Sequence, residues 1–361
     1  MQKTAEITSF QFYSILFLSR VFALVSYVSG VRRALSSTGE VVAVALACVF
    51  LLIAAVPSVI FMRKDSSSSI LARASGISPV LTKVLAIVYF VCILYSGIIT
   101  ASRFELMLGS LLFPETGVLG FVAVMLVAAS YVAYRGIEAI GRSAVIYLVP
   151  VLAAFIFVFA TLINKFDILN FTPVYVSEIP DMTDSAYYFC ARTGELGAVL
   201  ILLPNVRNTG RKSLSGWILA VAVVFVVTEL MVSGVLGGFG ENQLFNMYSL
   251  SVLAKYGFVE RLDAIISCIW LICAGVKMSL IFYICNVLLC SLFRKNRTVV
   301  YISASAVIVF IGAAIISVSI LDFAAAVSSG LTVFLFTLSV IAVPVFVMLC
   351  EKIKEKRNEK I

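Results

Sequence analysis

Long apolar runs separated by short polar connections occupy most of this chain, at about 8–29, 40–61, 80–101, 117–134, 139–163, 187–204, 214–237, 262–291, 298–320 and 324–350. Each run is near the roughly 20 apolar residues that a helix needs to cross the hydrocarbon core of a bilayer. The pattern predicts an all-α integral membrane protein of ten transmembrane helices. Five fall in 8–163 and five in 187–350, with a charged tail over 351–361. Between spans two and three, RKDSSSSILARASGISP (63–79) predicts a small amphipathic surface helix beside a solvated serine linker.

Composition removes the soluble alternatives. The 361 residues are 62% apolar and 13% charged, with a mean hydropathy of +1.10, whereas a soluble domain is about half apolar and about a quarter charged. Histidine is absent from the sequence, which excludes HExxH zinc hydrolases and Ser-His-Asp hydrolases. Without paired membrane aspartates or a Ser–Lys dyad, no enzyme is expected, and neither is a metal, a cofactor or a nucleic-acid partner. The eight cysteines all sit in apolar runs, with no CxxC pair, as small buried hydrophobes do. The polar start MQKTAEITSFQF does not read as a removable signal peptide.

The basic residues set the orientation. With the N-terminus inside, 18 of them fall on the cytoplasmic side, among them Lys3, Arg63, Lys64, Arg73, Arg207, Arg211, Lys212 and the tail. Six fall outside: Arg32, Arg33, Arg103, Lys165, Lys255 and Arg261. The positive-inside rule therefore places both termini in the cytoplasm. The tail EKIKEKRNEKI reads as a solvated helical extension near anionic lipid heads.

Five ionisable residues remain inside the spans: Arg20, Arg192, Glu195, Glu229 and Lys277. Each costs on the order of 2.5–3.5 kcal/mol at a helix centre, so each needs a partner or a wet cavity. An anionic ligand group would balance their one excess positive charge. In span six Gly194 and Gly197 bracket Glu195 in an 18-residue run ending at Pro204. That pattern fits a discontinuous helix whose freed backbone lines a cavity, or a close helix–helix contact. Span one carries Ser19 and Arg20, the arginine offering a donor fork to a ligand carboxylate or an ion pair to Glu195 or Glu229. Span eight holds Lys277, Ser279 and Tyr283, the last two on one helix face. Tyr95 and Ser96 are polar points in span three, although a lone tyrosine can equally rest its hydroxyl on a backbone carbonyl. Lys277 lies 17 residues after Glu260, about 25 Å along a helix, too deep for easy snorkelling.

Three segments together resemble the spore germination permease family, the B subunits of nutrient germinant receptors, in the amino acid–polyamine–organocation transporter superfamily. They are AYRGIEAIGR (133–142), GELGAVLILLPNV (194–206) and NMYSLSVLAKYGFVERLDAIISCIW (246–270). The resemblance runs over nearly the whole chain, and the last segment, with its Tyr-Ser-Leu and Glu-Arg-Leu-Asp elements, is the most specific. It implies a LeuT-like fold of two inverted five-helix repeats, with spans one and six broken around a midplane site open to the outside. It also implies a small nutrient, often an amino acid, held by spans one, three, six and eight. Partnership with A and C subunits in the spore inner membrane follows from the same resemblance.

On the family's pattern the matching positions are Tyr95, Gly194 to Gly197, and Ser279 with Tyr283. In some proton-linked members of the superfamily a lysine takes the place of a coupling ion, bridging helix-one carbonyls and helix eight. Lys277 is the corresponding candidate here, with Glu195 and Glu229 as further proton-linked groups. One departure stands out: amino-acid-binding members carry glycines in the break of helix one, whereas this chain has LSRVFALVSY there. Either Arg20 takes over carboxylate recognition or the ligand is not an ordinary amino acid. The expected function is a germinant-sensing membrane subunit, with an autonomous secondary transporter as the alternative. The outer loop 238–258 and the patch of Arg207, Arg211 and Lys212 are candidates for subunit assembly.

Overall fold

The structure, a computed structural model, describes residues 6–26, 35–65, 68–113, 117–207, 211–257, 262–317 and 319–358. Lys3, Arg32, Arg33, Glu260, Arg261 and Lys360, used above to orient the chain or gauge depth, lie outside the described residues.

Capping side chains bound several of the apolar runs. Thr8 caps α1 (Ser9–Val25) in a reciprocal box with Gln11. Ser36 caps α2 (Ser37–Lys64), Ser69 caps the short α3 (Ile70–Ile77), and Ser78 with Pro79 opens α4 (Pro79–Met107). These hydroxyls accept the first orphan amides of each helix. There follow α5 (Leu119–Tyr134), α6 (Ile137–Leu162), α7 (Ile179–Ala191), α8 (Glu195–Leu202), α9 (Arg211–Leu236), α10 (Asn246–Leu253), α11 (Asp263–Phe293), α12 (Thr298–Ile316), α13 (Ile320–Val327), α14 (Gly330–Thr337) and α15 (Val343–Asn358). The expected surface helix between spans two and three is α3.

Among the described residues eight helices are long and apolar enough to cross a membrane. The other two expected spans fall short of that length: α1 has 17 residues and α5 has 16. Both lie below the roughly 30 Å of hydrocarbon when counted at about 1.5 Å per residue. Large apolar side chains such as Ile53, Val124, Val127, Ile146, Val149 and Ile156 point outward. This is the surface expected where the surrounding solvent is lipid, and it explains why the runs carry no polar stripe.

The centre is built on α11, which packs against α1, α4, α5, α6 and α12, while α2 packs on α7 and α9. Connections gather at two ends. At one end β1 (Ile7–Thr8) pairs in parallel with β2 (Val206–Arg207), and Arg207 binds Glu6. At the other, Glu178 accepts from the Ser36 hydroxyl at 2.6 Å, and Lys165 donates to the Leu253 carbonyl at 2.7 Å. The tail helix α15 is held to α2 and α3 by Lys64 with Glu351 and Glu355, and by Lys354 with the Gly76 carbonyl. The segment 238–257, expected to be an outer loop, contains α10, which buries Met247 and Leu250.

Two helices depart from expectation. The first is unbroken: α1 runs without interruption through Leu18–Val25, most of the stretch where a break was expected, and ends at Ser26. Without glycine or proline, nothing in that stretch weakens the ladder of helical hydrogen bonds. The last span, expected to be continuous over 324–350, is interrupted at Ser328–Ser329 between α13 and α14. A π-turn at Leu338–Ala342 then separates α14 from α15. Ser328 and Ser329 turn their hydroxyls back onto the Ala324 and Ala326 carbonyls, at 2.6 and 2.7 Å, so the broken ladder is closed locally.

Candidate functional site

Span six is interrupted between α7 and α8, at Arg192–Gly194. Tight i→i+3 bonds bridge the gap: the Thr193 amide donates to the Cys190 carbonyl at 2.9 Å, and the Leu196 amide to the Thr193 carbonyl at 3.2 Å. Gly194 has φ −59° and ψ −16°, a conformation open to any residue. A Cβ there would lie 3.6 Å from Ser96 Oγ, and one on Gly197 would lie 3.4 Å from Ser339 Cβ. Both are ordinary van der Waals distances, so of the two readings of the glycine bracket the structure has the break, and neither glycine is required by a close approach.

Glu195 opens α8, so its carboxylate sits at a helix N-terminus, where the backbone dipole favours negative charge. Its Oε1 lies 2.6 Å from Lys277 Nζ, and both side chains are 5% exposed. Ser19 donates to the same oxygen at 3.1 Å, while Glu195 Oε2 has no hydrogen-bond partner among the described residues. Lys277 also lies 5.7 Å from the centre of the Phe22 ring. The lysine expected to bridge helix-one carbonyls is thus paired with the carboxylate of the broken helix. Breaking such a buried pair by removing one partner costs about 3–5 kcal/mol, because the other charge is stranded.

Arg20, one residue on from Ser19, makes no salt bridge with Glu195 or Glu229. Its guanidinium lies between the Phe189 and Phe225 rings, 5.2 and 5.0 Å from their centres, and donates to the Phe189 carbonyl at 3.2 Å. Nε and Nη1 have no hydrogen-bond partner among the described residues. Glu229 is buried in a separate small cavity lined by Leu24, Val44, Phe189, Phe225 and Asn246.

A cavity of about 50 Å³ opens beside the break, between α4, α7, α11 and α14. That is several times the roughly 10–15 Å³ needed to hold one water. Arg103, Arg192 and Lys277 line it with the hydroxyls of Tyr95, Ser96, Thr100, Thr332 and Ser339, and no carboxylate is among its lining residues. Of the residues singled out in the sequence, Tyr95, Ser96, Arg192, Gly194 and Lys277 meet here. Tyr95 has its hydroxyl 3.0 Å from the Ala326 carbonyl and 2.9 Å from Thr332 Oγ1, so it closes the break of the last span.

Ser279 lines a different cavity, between α5, α6 and α11, and donates to the Gly275 carbonyl at 2.7 Å. Tyr283 is half-buried one turn further on and lines neither cavity.

Arg103 is the residue that sequence reasoning misplaced. Counted as part of an outer connection, it is buried in α4, with its guanidinium 5.7 Å from the Phe323 ring centre. The helix runs past the expected end at 101 to Met107. Above Lys277 on α11, Trp270 stacks between Phe22 and Phe104, at centroid distances of 5.9 and 4.7 Å. The Tyr-Ser-Leu and Glu-Arg-Leu-Asp elements also acquire a physical link. Tyr248 donates to the buried Asp263 carboxylate at 3.1 Å, tying α10 to the start of α11.

Comparison with known proteins agrees with this architecture. The profile of the Spore_permease family, described as "Spore germination protein", matches residues 6–322. A Bacillus subtilis (strain 168) protein named "Putative spore germination protein YfkT" is 27% identical over 231 residues, which is 62% of this chain and 62% of that protein. The chain therefore aligns with less than two thirds of that relative's length. Among solved structures, Mhp1, a nucleobase-cation-symport-1 family transporter in a closed conformation with bromovinylhydantoin bound, superposes with a TM-score of 0.54 at 14% identity. That superposition covers 88% of this chain and 74% of the transporter. At this identity the likeness establishes a shared fold and nothing about the solute.

Proposed function

The chain belongs to the spore germination protein family, and on that premise we propose that it is the membrane subunit of a germinant receptor. It binds a small nutrient, an amino acid or a related solute, near the bilayer midplane and signals through A and C subunits in the spore inner membrane. In this reading α1 and α5 complete ten spans arranged as two inverted repeats, and both termini are cytoplasmic.

The observation that carries the reading is the interrupted span six. It sets a buried carboxylate and a lysine from α11 beside a polar cavity, in a fold shared with a solute transporter. Discontinuous helices are how such folds bring backbone and charged groups to a solute at the membrane centre. Lys277 fills the role of a coupling cation by neutralising Glu195, and it joins α11 to α8 in the conformation described here.

A second reading, an autonomous proton-linked transporter, draws on the same transporter fold and the same buried pair. Two measurements separate them. Spores lacking the chain should lose germination in response to one nutrient, and the purified protein in liposomes should show no net uptake of it. That nutrient at 100 times its Kd should raise stability by about 2.7 kcal/mol. Concentrative uptake with unchanged germination would replace the receptor by the transporter.

A further inference from the structure

We infer that the outward side of the tail helix α15 is a docking surface for anionic phospholipid headgroups. Along the sequence the tail alternates its signs, through Glu351, Lys352, Lys354, Glu355, Lys356 and Arg357. At 3.6 residues per turn the helix sorts them. Glu351, Lys354 and Glu355 share the side turned to the protein. There Glu351 and Glu355 pair with Lys64, Glu351 also lies 3.8 Å from Arg73, and Lys354 donates to the Gly76 carbonyl. Lys352, Lys356 and Arg357 fall on the far side, exposed around Ile353, and the tail places no acid among them. None of the three makes an ion pair among the described residues.

The same side continues the lipid-facing stripe of the last span. Phe346, Leu349 and Ile353 follow at spacings of three and four, as on one helix face, and each is at least half exposed. Counted from Leu349 at about 1.5 Å per residue, Lys352 to Arg357 lie roughly 5–12 Å further along α15. The headgroup layer outside the hydrocarbon is about 5–8 Å deep on each side. Long basic side chains reach it while their stems stay on apolar surface. Ile353, set among three bases, decides between a bilayer and an acidic protein partner. It matches the level where acyl carbon gives way to phosphate, and juxtamembrane bases are drawn to anionic lipid there.

The helix is then held from two sides, by lipid phosphate on one and by α2 and α3 on the other. The surface takes no residue from the cavity beside span six, so it stands whether the chain senses a nutrient or transports one.

Ile353→Trp puts a fluorescent reporter on the stripe of a chain whose own Trp217 and Trp270 are buried. The full chain is placed in nanodiscs of equal parts phosphatidylcholine and phosphatidylglycerol, with brominated acyl chains on one lipid or the other. Quenching of the added tryptophan by brominated phosphatidylglycerol should exceed that by brominated phosphatidylcholine at least about twofold. The excess should fade as salt shortens the screening length. Lys352→Gln, Lys356→Gln and Arg357→Gln together should make the two lipids quench equally. Lys352→Arg with Lys356→Arg keeps the charge and should keep the preference. Lys354→Gln, on the side facing α3, should leave it unchanged. Equal quenching with the basic residues intact, or a preference that survives the triple substitution, overturns the inference. So does a loss as large from Lys354→Gln alone, which would assign the attraction to total tail charge instead of the sorted face.

Discussion

The first and sixth spans pose the same physical problem and solve it in opposite ways. Each brings ionisable side chains into an apolar environment, Arg20 in one and Glu195 in the other. In α1 the helix stays whole from Ser9 to Val25, and the guanidinium is absorbed by two phenylalanine faces and one carbonyl. Delocalised charge spread over a plane tolerates such a site, because arginine is weakly hydrated and stacks on aromatic rings. In span six the helix opens so that Glu195 sits at a new N-terminus facing Lys277. A carboxylate is compact and strongly hydrated, and needs donors and a countercharge where an arginine can lean on rings. The contrast shows that intramembrane charge does not by itself break a helix, since Glu229 in α9 and Lys277 in α11 also lie in continuous helices.

The largest test of this contrast is to remove the countercharge. Lys277→Met strands Glu195 and should cost about 3–5 kcal/mol, read as thermal or denaturant unfolding in nanodiscs. Combining it with Glu195→Gln should recover most of the loss. A double variant no more stable than the single one would show that the pair does not act as a unit.

Next in size is Arg20. Arg20→Met removes a charge-assisted hydrogen bond and two ring contacts, a loss of about 2–3 kcal/mol by the same assay, and Arg20→Lys should restore less than half of it. If Arg20→Met instead exceeds Lys277→Met in cost, the first span shares the ion network of the sixth, and the contrast fails. Ser19→Ala takes one hydroxyl from Glu195 Oε1 and should cost about 1.5 kcal/mol. Its cost should fall but not vanish in the Glu195→Gln background, where the acceptor is neutral, which a double-mutant cycle measures.

The smallest expected effect sharpens the account of the glycines. Gly194→Ala fits the observed backbone and meets Ser96 at an ordinary contact distance. Stability should change by less than about 1 kcal/mol. Gly194→Leu reaches into the cavity and should abolish the nutrient response in spores while membrane insertion, followed by fractionation, stays normal. Equal responses from the leucine and alanine variants would remove the cavity from the binding event.

Membrane class, the approximate positions of the helices, the surface helix α3 and the interruption of span six were all determined by the sequence. Each depends on local sums. Insertion of a helix weighs some 20 consecutive side chains against lipid, and the interruption of span six at Arg192–Gly194 borders the marked segment Gly194 to Gly197. Which charges meet was decided only by tertiary structure. Lys277 is 82 positions beyond Glu195, and no periodicity connects them until α8 and α11 are packed together. The same holds for Tyr95, whose hydroxyl reaches Ala326 across 231 positions and helps close the break at Ser328–Ser329, just before Gly330. Arg103 looked external because the apolar run thins before it, yet α4 continues to Met107 and carries it inside. A buried polar group is stabilised by whichever partner lies within about 3 Å in the right direction, and direction exists only once the helices are assembled.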